Sequence, residues 1–261
     1  MIDVNVFLGA YPWRRVPGTS PEAVLGAMDR LGIEQAWATH LPSLFWKDPS
    51  AGNPWLYQTA AQFPRFKPVP VVHPGLPGWE ADLAQAVSDG AVAVRADPGY
   101  LGLAPAGAEL IALIAASGEA GMPFLAAVRL EDGRGRHPLD VAPELAPWMV
   151  RAWVRSHPEV RLVITHAERS FIEEVHFGST PEEAARIWWD ISWIWGPPED
   201  HLAVLLASVG VKRFLCGSGQ PLRLADTPIA RLELLDLDAA SRRAITHENA
   251  LALAARRSPP A

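Results

Sequence analysis

The chain holds one cysteine, Cys216, and three lysines among its 261 residues. A lone thiol can make neither an intramolecular disulfide nor a multi-cysteine zinc cage, so nothing in the sequence needs an oxidising compartment. Positive charge is also scarce. Against 29 Asp and Glu there are 23 Lys and Arg, a net charge of −6. That leaves no basic excess to coat a phosphate backbone or an anionic bilayer, which argues against nucleic-acid and membrane partners. Every long apolar stretch is broken by charge, as Glu109 breaks 101–117, and Met1-Ile2-Asp3-Val4-Asn5 has an acid where a secretory signal carries a basic region. A soluble, cytoplasmic protein is expected. With 49% hydrophobic and 20% charged residues, the composition is globular and excludes disordered, collagen-like and coiled-coil chains.

What is present is a rhythm. Short apolar runs rich in Val, Ile and Phe recur at Ile2 to Leu8, Gln35 to His40, Phe66 to His73, Ala91 to Arg95, Pro123 to Arg129, Val160 to His166, Ile187 to Trp193 and Lys212 to Ser218. Most are continuous rather than alternating, the pattern of parallel strands covered on both faces. Helix signals fall between them. Ser20-Pro21-Glu22 offers a capping hydroxyl, a first-turn proline and an acid, with Gly32 as the stop. Thr180-Pro181-Glu182-Glu183 repeats that start, Pro198-Glu199-Asp200 opens a further helix, and 105–117, 140–156 and 238–255 have helical amphipathic spacing. Eight strands alternating with helices predict an α/β fold, a single (β/α)8 TIM barrel over 1–255, with a frayed tail over 256–261. A doubly wound open sheet is the alternative, but Gly9-Ala10-Tyr11-Pro12-Trp13, not a Gly-x-Gly-x-x-Gly fingerprint, follows the first strand.

In such a barrel the chemistry sits where strands end. The polar residues there are Asn5, His40, His73, Arg95 with Asp97, Arg129, His166 with Glu168, Asp190 with Ser192, and Ser218 with Gln220. The opening Ile2-Asp3-Val4-Asn5-Val6-Phe7-Leu8, the Gly121-Met122-Pro123 start, Val163-Ile164-Thr165-His166-Ala167 and Gly210-Val211-Lys212-Arg213-Phe214-Leu215-Cys216-Gly217-Ser218 resemble the amidohydrolase-related (amidohydrolase-2) branch of the amidohydrolase superfamily. The resemblance covers nearly the whole chain and implies metal-dependent hydrolases and non-oxidative decarboxylases, some of them metal-free. Three of that family's metal-binding motifs differ here. Its His-x-His reads Asn5 and Phe7, Ala126-Ala127-Val128-Arg129 stands where a ligand histidine is expected, and its Gly-Ser-Asp-x-Pro reads Gly217-Ser218-Gly219-Gln220-Pro221. His166 survives.

His166 has two readings, a general base or a structural imidazole bonded to a nearby carbonyl. Asp190 would orient the His166 ring and raise its basicity, or else bond backbone or Ser192. Arg95 and Arg129 are candidate forks for a substrate carboxylate, with local pairing as the alternative. Asn5 or Gln220 would polarise a carbonyl, His73 and His137 would lean toward the pocket, and Trp193 would wall it, with Tyr11, Trp13, Phe45, Trp46 and Trp195 nearby. The long Leu41 to Pro54 loop is a candidate lid. No cofactor is expected, and His40, His73 and His166 form an alternative zinc set. The functional expectation is a metal-independent amidohydrolase-like hydrolase acting on a small cyclic or aromatic carboxylated compound, with His166 and Asp190 catalytic. A decarboxylase and a non-catalytic binding protein are the alternatives, and a homodimer is an expected assembly.

Overall fold

In the computed structural model, residues 1–196 and 200–255 are described. The eight strands are β1 Ile2–Leu8, β2 Gln35–His40, β3 Phe66–Pro68, β4 Val94–Arg95, β5 Phe124–Ala127, β6 Leu162–Thr165, β7 Ile187–Asp190 and β8 Phe214–Leu215. All ladders are parallel, running β1-β2-β3 and β4-β5-β6-β7-β8. Bridges Val71 to Arg95 and Val6 to Gln220 close the two seams. Backbone bonds reinforce them, with Arg95 N donating to Pro70 O at 2.9 Å and Phe7 N to Gln220 O at 2.8 Å. The sheet therefore closes on itself as the predicted (β/α)8 barrel, leaving no free edge.

Several strands are shorter than their apolar runs. Pro68 and Pro70 have no N–H to donate, so the β3 ladder stops at Pro68 rather than at His73. β8 ends at Leu215 rather than at Ser218, although the chain runs on beside β1, with Val4 N donating to Cys216 O at 2.9 Å and Gly219 N to Asn5 O at 2.8 Å. Helix starts follow their signals more closely. Ser20 accepts from Ala23 N and Gly32 ends the helix in a left-handed conformation, φ 67°. Thr180 and Glu183 form a reciprocal capping box, although that helix spans only Pro181–Ala184.

Two helical spans differ from expectation. The predicted 140–156 helix begins only at Pro147, because Arg136 ties Asp140 into a loop that also holds Pro143. The predicted 238–255 helix is divided by a π-helical turn, Ala244–Glu248. Asp200 caps the helix His201–Leu205, while Pro198 and Glu199, like the tail 256–261, lie outside the described residues. Among the described residues no helix is long and apolar enough to cross a membrane.

Val4, Trp37, Val69, Ala93, Leu125, Val163 and Leu215 meet in one buried cluster drawn from β1, β2, β5, β6 and β8 and from the residues flanking β3 and β4, and Ala250 and Leu253 of the terminal helix pack on it. The pairing of β1 with β2 shifts between Asp3 and Val6. Asp3 fills the irregularity: its Oδ1 accepts from Asn5 N at 3.1 Å and Ser218 N at 3.0 Å, and its Oδ2 from Ser218 Oγ at 2.5 Å. A bulge of this kind re-aims the next side chain, here Asn5.

Candidate active site

Above the apolar filling lies a chain of buried polar groups. Arg95, 1% exposed, gives Nε to Asp97 Oδ2 at 2.6 Å and Nη1 to Asn5 Oδ1 at 3.4 Å, with its guanidinium 4.7 Å from the centre of the Phe7 ring. Asn5 Nδ2 then serves two acceptors, Asp190 Oδ2 at 2.9 Å and His166 Nε2 at 2.9 Å. On the other side of the ring, His166 Nδ1 is 2.6 Å from Arg129 O. A carbonyl only accepts, so Nδ1 carries the proton and Nε2 is the nitrogen with the lone pair. Ser192 Oγ completes the chain by donating to Asp190 Oδ2 at 2.8 Å.

The local backbone is built for this contact. His166 has φ 58°, the one non-glycine residue with positive φ among those described. A left-handed histidine costs about 1–3 kcal/mol and persists only where its surroundings hold it. Here Asp190 Oδ1 holds its backbone N–H at 2.9 Å. Opposite, Gly219 has φ 72°, and a Cβ there would lie 2.7 Å from His166 Nε2, so only glycine lets the loop after β8 approach the ring.

Burial governs the electrostatics. It pushes Asp190 and Asp3 each up to about 6. Burial also lowers His166 to about 3; the Arg129 carbonyl works against this, while the cations of Arg223, Arg95 and Arg129 add to it. Of the two readings of Asp190 the structure has the second: it bonds the His166 backbone, Asn5 and Ser192, which corrects the expected pairing with the ring, and the imidazole is made less basic rather than more.

Arg129, 18% exposed at its side chain, pairs with Glu144 at 3.0 Å and Glu168 at 3.9 Å and lies 5.6 Å from the Trp193 ring centre. Trp193 is buried and packs on His166 with centroids 5.4 Å apart. His137 stacks on Trp13 at 5.3 Å, away from the chain of polar groups. Gln220 turns inward to Asp3 at 3.4 Å, so the structure does not direct its amide to a ligand carbonyl. His73 accepts from Gly75 N at 3.1 Å within its own turn, and His40 bonds Ser43 Oγ at 2.7 Å against Trp46 and Trp55. A cleft of about 560 Å³ opens between the mouth loops, walled by Trp13, Phe45, Trp46 and Tyr100 with Leu139 and Asp140. The Leu41 to Pro54 loop folds as two short 3-10 turns on its flank.

Two residues here had not been singled out in the sequence. Asp3 looks like one more residue in an apolar strand, and only the bulge reveals its role. Arg223 lies three residues beyond Gln220, and its guanidinium is 3.9 Å from the Trp193 ring centre and 4.8 Å from that of Trp195. Its signal was its place on the loop after the eighth strand, where active-site residues of barrels sit.

The donor set does not fit the metal that the amidohydrolase resemblance implies. The Asn5 amide already gives an N–H to the His166 lone pair, Phe7 has no donor atom, and Arg95 and Arg223 add positive charge that would repel a dication. The alternative zinc set is not assembled either, since His40, His73 and His166 each have separate local partners. Among the described residues no three His, Cys, Asp or Glu side chains gather as metal ligands.

No family model and no curated protein matches the chain. Solved structures do. A 2,6-dihydroxybenzoate decarboxylase from Rhizobium is 16% identical, with 97% of this chain and 98% of that one covered and a TM-score of 0.74. A dihydroxybenzoic acid decarboxylase from a Polaromonas species, with bound manganese and 2-nitroresorcinol, gives 14%, 97% and 96% with a TM-score of 0.73. A probable 2-pyrone-4,6-dicarboxylic acid hydrolase from Acinetobacter baumannii, with citric acid bound, gives 12%, 97% and 98% with a TM-score of 0.66. At such identities the likeness is one of fold: the chain is a (β/α)8 barrel of the architecture these decarboxylases and this hydrolase share over their whole length.

Proposed function

We propose that the barrel mouth takes a small cyclic or aromatic carboxylated compound and acts on it as an amidohydrolase-like enzyme, without a metal, with His166, Asn5 and Asp190 handling the proton. The observation that carries this reading is His166. It is a fully buried histidine at the end of β6, in a costly left-handed backbone, with its tautomer set by one carbonyl. Residues held in such a conformation cluster at active and ligand-binding sites. The solved structures of like fold support the substrate class, since two are named as decarboxylases of dihydroxybenzoates and one as a pyrone dicarboxylate hydrolase.

In hydrolysis, a water reaching Nε2 would give its proton there while the Asn5 amide turns aside, its oxygen would add to the substrate carbonyl, and the weakly basic imidazole would pass the proton readily to the leaving group. Arg95 Nη2 and Arg129 Nε are buried without a partner among the described residues, which leaves donors for substrate oxygens. Decarboxylation would use the same guanidinium groups to hold and then release the carboxylate. The test is turnover of a panel of cyclic lactones, amides and aromatic carboxylates, followed by mass spectrometry and carbon dioxide release. His166→Gln is expected to lose at least 100-fold in kcat, and full turnover by that variant would sink the proposal.

A second reading has its own observation. Both His166 ring nitrogens are already engaged and the ring is a poor base, as suits a barrel that binds a ligand without transforming it. Tight carboxylate binding with no product from any member of the panel would select it.

A further inference from the structure

We infer that Arg223 is the carboxylate-binding and specificity-determining residue of the mouth, presenting its guanidinium edge to an anionic planar ligand from a platform of Trp193 and Trp195. The inference rests on the reading that a small carboxylate is bound there and adds the residue that selects it.

Arginines at the mouth differ in their counter-charge. Arg95 is ion-paired with Asp97, and Arg129 with Glu144 and Glu168, although each keeps one N–H without a partner among the described residues. Arg223 has no side-chain hydrogen bond and no carboxylate within ion-pair distance among the described residues; its guanidinium carbon lies close to the Trp193 and Trp195 rings. Asp190 first, then Glu131 and Asp132, attract it from beyond ion-pair distance. Contacts with indole rings do not use up the guanidinium N–H groups, and a free N–H edge matches a carboxylate in bidentate geometry.

Position supplies the second argument. The point a Gly219 Cβ would occupy lies 2.7 Å from His166 Nε2 and 3.1 Å from Arg223 Cδ, so the Arg223 stem and the lone-pair nitrogen of the buried histidine both border the Gly219 backbone. Arg223 is half-buried, where His166 is wholly enclosed. Burial pushes the Arg223 guanidinium below its ordinary value, the mark of a cation lacking a full counter-charge, and nearby carboxylates only offset this. An anion held at its edge would therefore sit beside the ring proposed to handle the proton, with the indoles beside it for a flat ring.

The test measures binding by the full chain, through calorimetry and tryptophan fluorescence, with benzoate, 2,6-dihydroxybenzoate and cyclohexanecarboxylate against their neutral carboxamides. Wild-type protein is expected to prefer at least one acid over its amide by tenfold or more. Arg223→Gln is expected to remove that preference while leaving amide affinity within twofold, and Arg223→Lys to restore only part of it, because an ammonium lacks the planar fork. Arg134→Gln, at an exposed arginine paired with Asp132, serves as the charge control and should change nothing. If Arg223→Gln melts like wild type and still prefers the acid, the inference is overturned while the parent reading stands. If wild-type protein shows no preference for any acid, the parent reading fails and the inference with it. Should Arg223→Gln not fold, Arg223→Lys decides, since an unchanged acid preference in that variant overturns the role of the fork.

Discussion

The ring of His166 is fixed by the main chain of Arg129: Nδ1 lies 2.6 Å from that residue's carbonyl oxygen. The contact uses backbone, so it sets the tautomer whatever side chain stands at 129, and it turns the lone pair of Nε2 toward Asn5. The Arg129 side chain is thereby left to bridge Glu144 and Glu168 and to lie over Trp193.

Asn5→Ala removes the amide that serves His166 and Asp190 together. Two buried acceptors then lose a donor, and such groups cost about 1–3 kcal/mol when left unsatisfied. Urea unfolding is expected to show a loss in that range with an unchanged m-value. A midpoint equal to wild type would mean that the amide bonds add nothing to stability.

The buried acids and imidazoles oppose each other as pH changes. Folded Asp190 and Asp3 keep a proton up to about 6, so their contribution to stability is complete below the unfolded value near 3.8 and is lost as pH rises through 6. His166 and His40 behave oppositely. Lowered to about 3 and about 4, they disfavour the fold wherever the unfolded chain would hold the proton, so stability is gained as pH rises toward 6.5. Between pH 4 and 6 the two pairs offset. Asp190→Asn removes one acid, and its stability relative to wild type is expected to rise by about 1.4 kcal/mol per pH unit across that window. Denaturant titrations at pH 4, 5 and 6 check it, and a difference that stays constant or falls with pH contradicts it.

Protein purified without chelator or added metal is expected to carry far less than one zinc, iron or manganese per chain by elemental analysis, with a melting temperature indifferent to EDTA. About one bound metal per chain, lost together with stability on chelation, would overturn the conclusion drawn from the donor set.

Gly219→Ala tests the approach of the last loop to His166. The added methyl must either displace the ring nitrogen, 2.7 Å away, or force the loop out of its left-handed turn. A stability loss of about 1–3 kcal/mol is expected, with a larger fractional loss in ligand affinity. Wild-type affinity in this variant would show that the loop and the ring are not coupled.

Much of the fold was legible because its causes are local. Continuous apolar runs become strands covered on both faces wherever they stand, and a serine before Pro21 or a threonine before Pro181 caps a helix through neighbours three residues on. Where several local features compete, reading was harder. The apolar run 66–73 looked like one strand, yet its two prolines end the ladder at Pro68, and the periodicity across 140–156 ran through a loop held by Arg136.

The chemistry of the site was only half legible. Strand-end positions put Asn5, Arg95, His166 and Asp190 in one region, and the structure joins them by hydrogen bonds. Which atom meets which was not written there. Asn5 and His166 stand 161 positions apart, and their meeting depends on a bulge at Asp3, a left-handed residue at 166 and a glycine at 219. Gln220 is drawn inward for the same reason, and Arg223 comes within reach of Trp193 because the turn at Gly219 carries it back over the ring.

The sequence by itself determined the barrel and the poverty of metal donors, since apolar periodicity and the chemical identity of Asn5, Phe7 and Gly219 require no partner to be read. Only the tertiary structure decided how the polar residues are used. Burial, which no single position encodes, weakened the His166 base, raised the Asp3 and Asp190 acids and lowered the Arg223 guanidinium against only partial attraction from nearby carboxylates, because desolvation and charge pairing belong to the packed surroundings of a side chain.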